Sequence, residues 1–388
     1  MISDAQRRAR IGQRHALAQR AATVPDAVRA MTCLHATEPA SVYLSAAART
    51  EASRDDVDRA LYVDRSVVKQ LSMRRTVFAY PVELLPAAWG SAAERVAVQQ
   101  RAQLARDVEK YGVAADGTAW VARACAEVLA HLREHGPTTT AGLRTALPAL
   151  DARMSLAPGK KWAAEVSVAP RVLTTLAADG SVLRGENDGG WKTSRPRWTA
   201  TEQWLGAPAA PLDEASGYAA LVDSWLRTFG PGTEADVVWW LGATKAAVRR
   251  ALADVGAEAV ALEDGRAAWV APGDADDVEV PAPWAALLPA LDPTTMGWKE
   301  RGFYLGEHAD QIFDRNGNGG PTAWWDGRIV GGWQQDPDGT VHVELLTDVG
   351  SSGRAALDAE ASRLTAWLDG DVVNTIYQAP MIRALRNP

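Results

Sequence analysis

The sequence predicts an α+β protein made of tandem winged helix-turn-helix units, two clear and a third, degenerate one at the N-terminus, closed by a domain of antiparallel strands. Three observations carry this. First, GPTTTAGL at 136–143 and GPGTEADV at 230–237 share a layout of Gly-Pro, a threonine cap and a short apolar helix, an internal repeat. Second, each copy is followed by another helical segment and two short strands, the order of a winged helix. Third, after Trp284 the helical period gives way to strands, with Asp326-Gly327 and Asp338-Gly339 as hairpin turns. These cues divide the 388 residues into an N-terminal unit (1–115), a first winged helix (116–205), a second (206–280) and a C-terminal strand-hairpin domain (281–388).

Taken in order, residues 3–20 read as a helix with Ile11 and Leu17 on a sparse apolar face. Pro25 and Asp26 open a second helix, and Pro39 a third through Val42, Tyr43 and Leu44. Residues 55–63 form a short amphipathic helix, 65–72 another, and 75–80 a strand ended by Pro81. Glu83 to Tyr111 is a helical connector. Residues 118–135 form an amphipathic helix stopped by Gly136, and a short helix with threonine caps follows and ends before Pro148. Ser167 to Ala178 is the third helix of the first copy, with SVLRG and WKTSRPRWT as its wing. The second copy runs from helix Leu212–Phe229 through Ala246–Val255 to strands AVALED and RAAWVA. The last helix is Ser352–Leu368.

Hydrophobic content of 47% and charged content of 23% are those of a globular protein with a substantial core. Cys33 and Cys125 are too few for a disulfide framework and read as buried small side chains in a reducing cytosol. The N-terminus has no secretory h-region, and no apolar run reaches membrane-spanning length. The expectation is a cytoplasmic, nucleoid-associated monomer. The net charge of −7 hides an uneven distribution. Arg7, Arg8, Arg10, Arg14 and Arg20 cluster early, and Arg65, Lys69, Arg74 and Arg75 follow. Residues 153–197 hold eight Lys or Arg against four acids, while 251–292 hold nine acids against Arg266 alone. Each basic run alone is an ordinary solvated helix face, but three before residue 200 point to a phosphate-facing surface. In a winged helix the third helix enters the major groove. That leaves Arg171, Thr174 and Thr175 as base-facing candidates, with Arg184, Lys192, Arg195 and Arg197 on the wing. The acidic second copy, with Trp239 and Trp240, is expected to pack against protein.

The one chemically suggestive stretch is MTCLHATEPASVYL, 31–44. Thr37 is placed to cap the helix that starts near Pro39, with His35 two residues earlier. A titratable ring, a hydroxyl and a helix N-terminus together could position a water. The same residues also fit a plain capped corner with one polar histidine. DRNGNGGPTAWWD places Asp314, Asn316 and Asn318 at calcium-loop spacing, but Trp325 stands where a bidentate Glu is needed, so it reads as a turn. No phosphate loop, Rossmann fingerprint or nucleophile elbow is present. No metal and no cofactor is expected.

CLHATEPASVYLSAAAR, SMRRTVFAYP and WWDGRIVGGW, set in the tandem winged-helix layout, resemble the AlkZ/YcaQ-like winged-helix DNA glycosylases, most closely an actinobacterial branch. The resemblance covers nearly the whole chain. It implies a C-shaped protein that binds double-stranded, adducted DNA and hydrolyses the N-glycosidic bond of N7-alkylated or bulky-adducted purines, in DNA repair or antibiotic self-resistance. The family's active motif is Gln-apolar-Gln or Gln-apolar-Asp. The matching positions are His35, Ala36 and Thr37, which implies His35 and Thr37 as catalytic residues and leaves His and Thr in place of the motif's polar pair. The basic residues Arg74, Arg75, Arg171, Thr174, Arg184, Lys192, Arg195 and Arg197 then become the DNA contacts. A noncatalytic winged-helix DNA binder, a regulator or damage sensor, and a drug-sequestering protein are the other readings.

Overall fold

The computed structural model describes residues 1–156 and 164–386, a mixed α+β fold with several small antiparallel sheets. Local caps set most helix starts. Ser3 accepts from Gln6 N–H to open α1 (Asp4–Arg14), and Thr23 accepts from Asp26 N–H to open α2 (Val24–Ala30). After β1 (Leu34–His35) comes α3 (Pro39–Arg49), with proline in its first turn. A Ser53/Asp56 capping box opens α4 (Arg54–Asp58). Then follow β2 (Val67–Ser72), β3 (Thr76–Pro81), α5 (Leu85–Ala88) and α6 (Glu94–Lys110).

Asp116 caps α7 (Gly117–His135), which ends at Gly136 with φ 76°. Next are β4 (Thr138–Thr139), α8 (Thr140–Ala146) capped by Thr139, the pair β5 (Arg153–Leu156) and β6 (Ala164–Ser167), and α9 (Ala169–Ala178). The strands β7 (Val182–Asn187) and β8 (Pro196–Ala200) pair antiparallel, and β4 adds a third strand on the far side of β8. After α10 (Thr201–Leu205) comes α11 (Glu214–Phe229). A Thr233/Asp236 capping box opens α12 (Glu234–Leu241), and Thr244 caps α13 (Lys245–Asp254). The hairpin β9 (Glu258–Ala261) and β10 (Ala267–Val270) follows.

The C-terminal sheet is an antiparallel meander of β11 (Ala285–Leu288), β12 (Thr322–Trp325), β13 (Arg328–Gln335) and β14 (Val341–Leu345). Short helices α14 (Pro293–Met296), α15 (Gly302–Leu305) and α16 (Ala309–Ile312) lie between β11 and β12. The chain closes with α17 (Gly350–Leu368) and α18 (Pro380–Arg386). Asp326 and Gly327 both have positive φ, as a two-residue hairpin turn requires. No helix among the described residues is long and apolar enough to cross a membrane.

Three expectations change. Residues 65–72 are not a helix: VVKQLS is strand β2, buried at all six positions. A strand covered on both faces has no alternating pattern, and the β-branched Val67-Val68 pair favours the pleated chain. The β5–β6 pair was not visible in the sequence; the residues joining it, 157–163, which belong to the third basic run, lie outside the described residues. Third, the first basic run does not face solvent. Arg7 and Arg10 are buried. Arg10 donates to Asp274 Oδ1 (2.9 Å) and to the carbonyls of Asp274 and Asp276, and Arg14 pairs with Asp274 (2.6 Å). The Arg7 guanidinium lies 3.5 Å over the Phe303 ring, Arg8 donates to Phe303 O, and Arg20 pairs with Glu51 and Glu360. Asp274 of the late acidic stretch thus neutralises Arg10 and Arg14.

Contacts divide the chain into two units. One comprises Met1–Val67, Ala79–Pro81 and Tyr218–Pro388, and the other Val68–Phe78 and Val82–Gly217. At the centre of the first lies a polar network with no solvent exposure. Arg49, at the end of α3, makes a bidentate pair with Asp292 (2.9 and 2.7 Å), the residue that caps α14. Ser45 Oγ donates to Asp292 Oδ2 (2.6 Å), and Thr294 N–H donates to Oδ1 (2.9 Å). Burial by itself would raise the Asp292 carboxyl; the Arg49 charge and these hydrogen bonds reverse that and hold it below its ordinary value. His15 sits against Thr294 Oγ1 (2.9 Å) and Thr228 O (3.1 Å), stacks on Trp298 and meets Phe229 edge-on. Burial, then the nearby Arg49 charge, push its pKa from 6.5 down to about 3. The network continues through Thr228 and Thr32 to Ser224.

Two outcomes follow. Arg49→Met strands a buried carboxylate and is expected to cost about 3–5 kcal/mol in urea unfolding. Between about pH 6.5 and 3 the unfolded chain binds a proton at position 15 that the folded chain refuses. Stability is therefore full above about pH 6.5 and falls by about 1.4 kcal/mol per unit as pH drops. Asp292 adds its own loss below about pH 4. Urea titrations of His15→Gln should show the slope between about pH 6.5 and 4 flattened.

Candidate functional site

The corner carrying His35 begins where α2 ends. Thr32, with φ 62°, reverses the chain, and its buried hydroxyl meets those of Thr228 and Ser224, each at 3.0 Å. Cys33 and Leu34 are buried, His35 is 9% exposed, and Ala36 is buried; only Thr37 is open to solvent. Thr37 does not cap α3. The N-cap is Glu38, in extended conformation and without a capping side-chain bond. Its carboxylate turns instead to the C-terminal segment, accepting from Thr375 Oγ1 (2.7 Å) and Ile376 N–H (2.8 Å).

Glu38 also lines a cavity of about 40 Å³, together with Ser41, Trp333, Gln334, Asn374 and Gln378. That volume holds water but not a purine. His35 and Thr37 are not among its lining residues. The far wall is fixed by Gln335, whose Oε1 accepts from Val373 N–H (2.9 Å) and whose Nε2 donates to the carbonyls of Gly339 and Asp371. Half-buried Tyr377 has its phenol pushed up by burial and then by the negative charge of Glu38. Glu38 escaped the sequence reading because an acid just before a helix-opening proline is an ordinary helix start.

The candidate phosphate contacts all fall in the other unit, on two neighbouring hairpins. Arg74 and Arg75 form the tip between β2 and β3, both exposed and both with positive φ (54° and 58°). That hairpin is tied to α9 and β7: Gln70 Nε2 donates to Ala177 O (2.5 Å), Trp89 Nε1 donates to Gln70 Oε1 (2.9 Å), and buried Lys69 donates to Gly185 O (3.4 Å). On β7, Arg184 is half-buried with its guanidinium 4.7 Å over the Trp198 ring. Among the described residues its buried Nε–H meets no acceptor, and desolvation lowers its pKa to about 10. Lys192 and Arg195 are exposed in the turn between β7 and β8, and Arg197 pairs with Asp188 (3.1 Å).

Of the α9 candidates, Arg171 and Thr175 are engaged by packing, and Thr174 stays half-exposed with its hydroxyl bonded to its own helix. Arg171 pairs with Asp107 of α6 (2.7 Å), the Thr174 hydroxyl donates to Pro170 O (2.7 Å), and Thr175 is fully buried. At the calcium-like loop, the Asp314 carboxylate accepts from Asn316 N–H, Asn318 N–H and Asn318 Nδ2, closing a turn on itself. Cys33 and Cys125 are buried thiols in no disulfide, and burial pushes the Cys125 thiol up to about 11.

A family model described as DNA glycosylase AlkZ-like matches residues 28–367, and the chain belongs to that family. The solved structure of Streptomyces sahachiroi DNA glycosylase AlkZ is similar in fold, with a TM-score of 0.74 at 22% identity, over 96% of this chain and 98% of that one. No curated protein matches at a significant level.

Glu38 pins the C-terminal segment at Thr375 and Ile376, and Gln335 pins it at Val373. In Glu38→Ala, hydrogen exchange at the Ile376 amide should quicken markedly while the Val373 amide stays protected; equal change at both would mean the segment moves as one piece.

Proposed function

We propose that this protein is a DNA glycosylase that hydrolyses the N-glycosidic bond of N7-alkylated or bulky-adducted purines in double-stranded DNA. The observation that carries this is the family match over 28–367, which spans both the His35 corner and the cationic hairpins. In this reading α7–α9 with β4, β7 and β8, and α11–α13 with β9 and β10, act as tandem winged helices.

The chemistry is modest. An N7-alkylated purine is cationic, so its bond to the sugar is already activated and the leaving base needs no proton. The enzyme supplies a positioned water and charge stabilisation for an oxocarbenium-like sugar. A neutral His35 imidazole takes the proton of the attacking water, and the Thr37 hydroxyl, both donor and acceptor, holds that water. Arg74, Arg75, Arg184, Lys192 and Arg195 hold backbone phosphates. Arg184 is prepared for this: its fork is stacked on Trp198 and lacks a carboxylate partner among the described residues.

Base release from a duplex carrying N7-methylguanine, then a bulkier N7 adduct, tests the reading. His35→Ala should lose about 10²-fold or more in single-turnover rate with DNA affinity little changed. Background release from both proteins, with salt-sensitive DNA binding retained, would make the protein a noncatalytic binder. For the phosphate set, Arg184→Gln and Lys192→Ala should each reduce the slope of log K against log salt by about one, whereas Arg171→Ala should lower Tm and leave the slope alone.

A further inference from the structure

The water-positioning residues of the corner leave one requirement unmet, a fixed negative charge for the sugar cation. Glu38 is the residue next to Thr37, and its carboxylate is set rather than free. Thr375 Oγ1 donates to Oε2 and Ile376 N–H to Oε1, one bond to each oxygen. Each oxygen keeps further acceptor capacity. The group also borders a cavity of about 40 Å³ whose other polar lining includes Ser41, Gln334, Asn374 and Gln378, all uncharged. Hydroxyls and amides can order water there without neutralising the carboxylate. The carboxylate therefore stands beside a water-sized space, held in one orientation by bonds that leave its charge intact.

The geometry points to Glu38 as the electrostatic stabiliser of the sugar cation in base release, with the adjoining cavity holding ordered water. This rests on the glycosylase reading. The step balances as follows. The C1′–N9 bond breaks with its electron pair going to the purine, which leaves as a neutral base. The sugar becomes an oxocarbenium ion facing the Glu38 carboxylate. Water attacks C1′, and its proton passes to the neutral His35 imidazole and then to solvent. Glu38 is not consumed and forms no bond to the sugar. Preorganised charge of this kind costs no reorganisation when the cation develops.

The test is single-turnover release of N7-methylguanine by full-length wild type, Glu38→Gln, Glu38→Asp and Thr375→Val, with DNA affinity and Tm measured on each. Glu38→Gln keeps the shape and the acceptor for Ile376 N–H but removes the charge. It is expected to lose about 10²-fold in rate, with DNA binding equal or tighter because a negative charge near phosphate has gone. Glu38→Asp, which keeps the charge, should recover part of that loss. Thr375→Val, which removes one of the carboxylate's two donors and no charge, should lose clearly less rate than Glu38→Gln. A Glu38→Gln protein releasing base at the wild-type rate overturns the assignment and leaves the glycosylase reading standing. Glu38→Gln and Thr375→Val losing rate and Tm together would reduce Glu38 to a fastening for the C-terminal segment, which also overturns it. A wild type that releases neither N7-methylguanine nor a bulkier N7 adduct removes both readings at once.

Discussion

Arg49 and Asp292 face each other with no solvent on either side chain, and much of the first unit is arranged to make that tolerable. Removing two charges from water is costly, and their attraction compensates only when every remaining donor and acceptor is matched. Ser45, Thr294 and the Ser45 carbonyl match most of them, while the buried Arg49 Nε–H meets no acceptor among the described residues. The pair joins the last turn of α3 to the first turn of α14, which follows directly after β11 and Leu291. Its net stabilisation is small by comparison with what a displacement costs, because any shift of α3 strands a buried charge. α3 is the helix whose other end carries Glu38, so the same constraint fixes the candidate site. His15, Thr228 and Thr32 extend it to the chain reversal just before His35.

Charge in this protein is sorted by partner rather than by position along the chain. The arginines of α1 are as dense as any run in the sequence, yet Arg10 and Arg14 share Asp274, and Arg7 lies against Phe303. They hold the first helix to the acidic segment some 260 residues later. Arg171 is likewise spent on Asp107. The exposed candidates sit on two hairpins, the first tied to α9 by Gln70 and to β7 by Lys69, with Arg184 on Trp198 between core and solvent. A desolvated guanidinium without a carboxylate is costly to keep, which is why an external anion is its natural complement.

The corner and the cavity divide the chemistry between them. His35 is buried, Thr37 meets solvent, and Glu38 turns away from its own helix toward the C-terminal segment. The fold therefore brings the far end of the chain to the start of α3, where a carboxylate, rather than the expected threonine cap, occupies the N-cap.

Local chemistry determined the helices. Ser3, Thr23, Ser53, Asp116, Thr139, Thr233 and Thr244 each cap the helix that follows by bonding an N–H three residues on, and a signal that short is complete in the sequence. The Gly-Pro-Thr repeat and the Asp326-Gly327 turn were legible for the same reason. Tertiary structure alone decided that VVKQLS is a strand, that the first arginines point inward, that Arg171 and Thr175 of α9 are packed away, and that Asp292 also neutralises Arg49. Those outcomes depend on which residues cover a segment, and the covering residues lie anywhere from tens to hundreds of positions away. Of the candidate site, His35 and Thr37 could be read from a motif-sized stretch. Glu38 could not, because its significance comes from Thr375, Ile376 and a cavity that exists only once the chain's end has returned to its beginning.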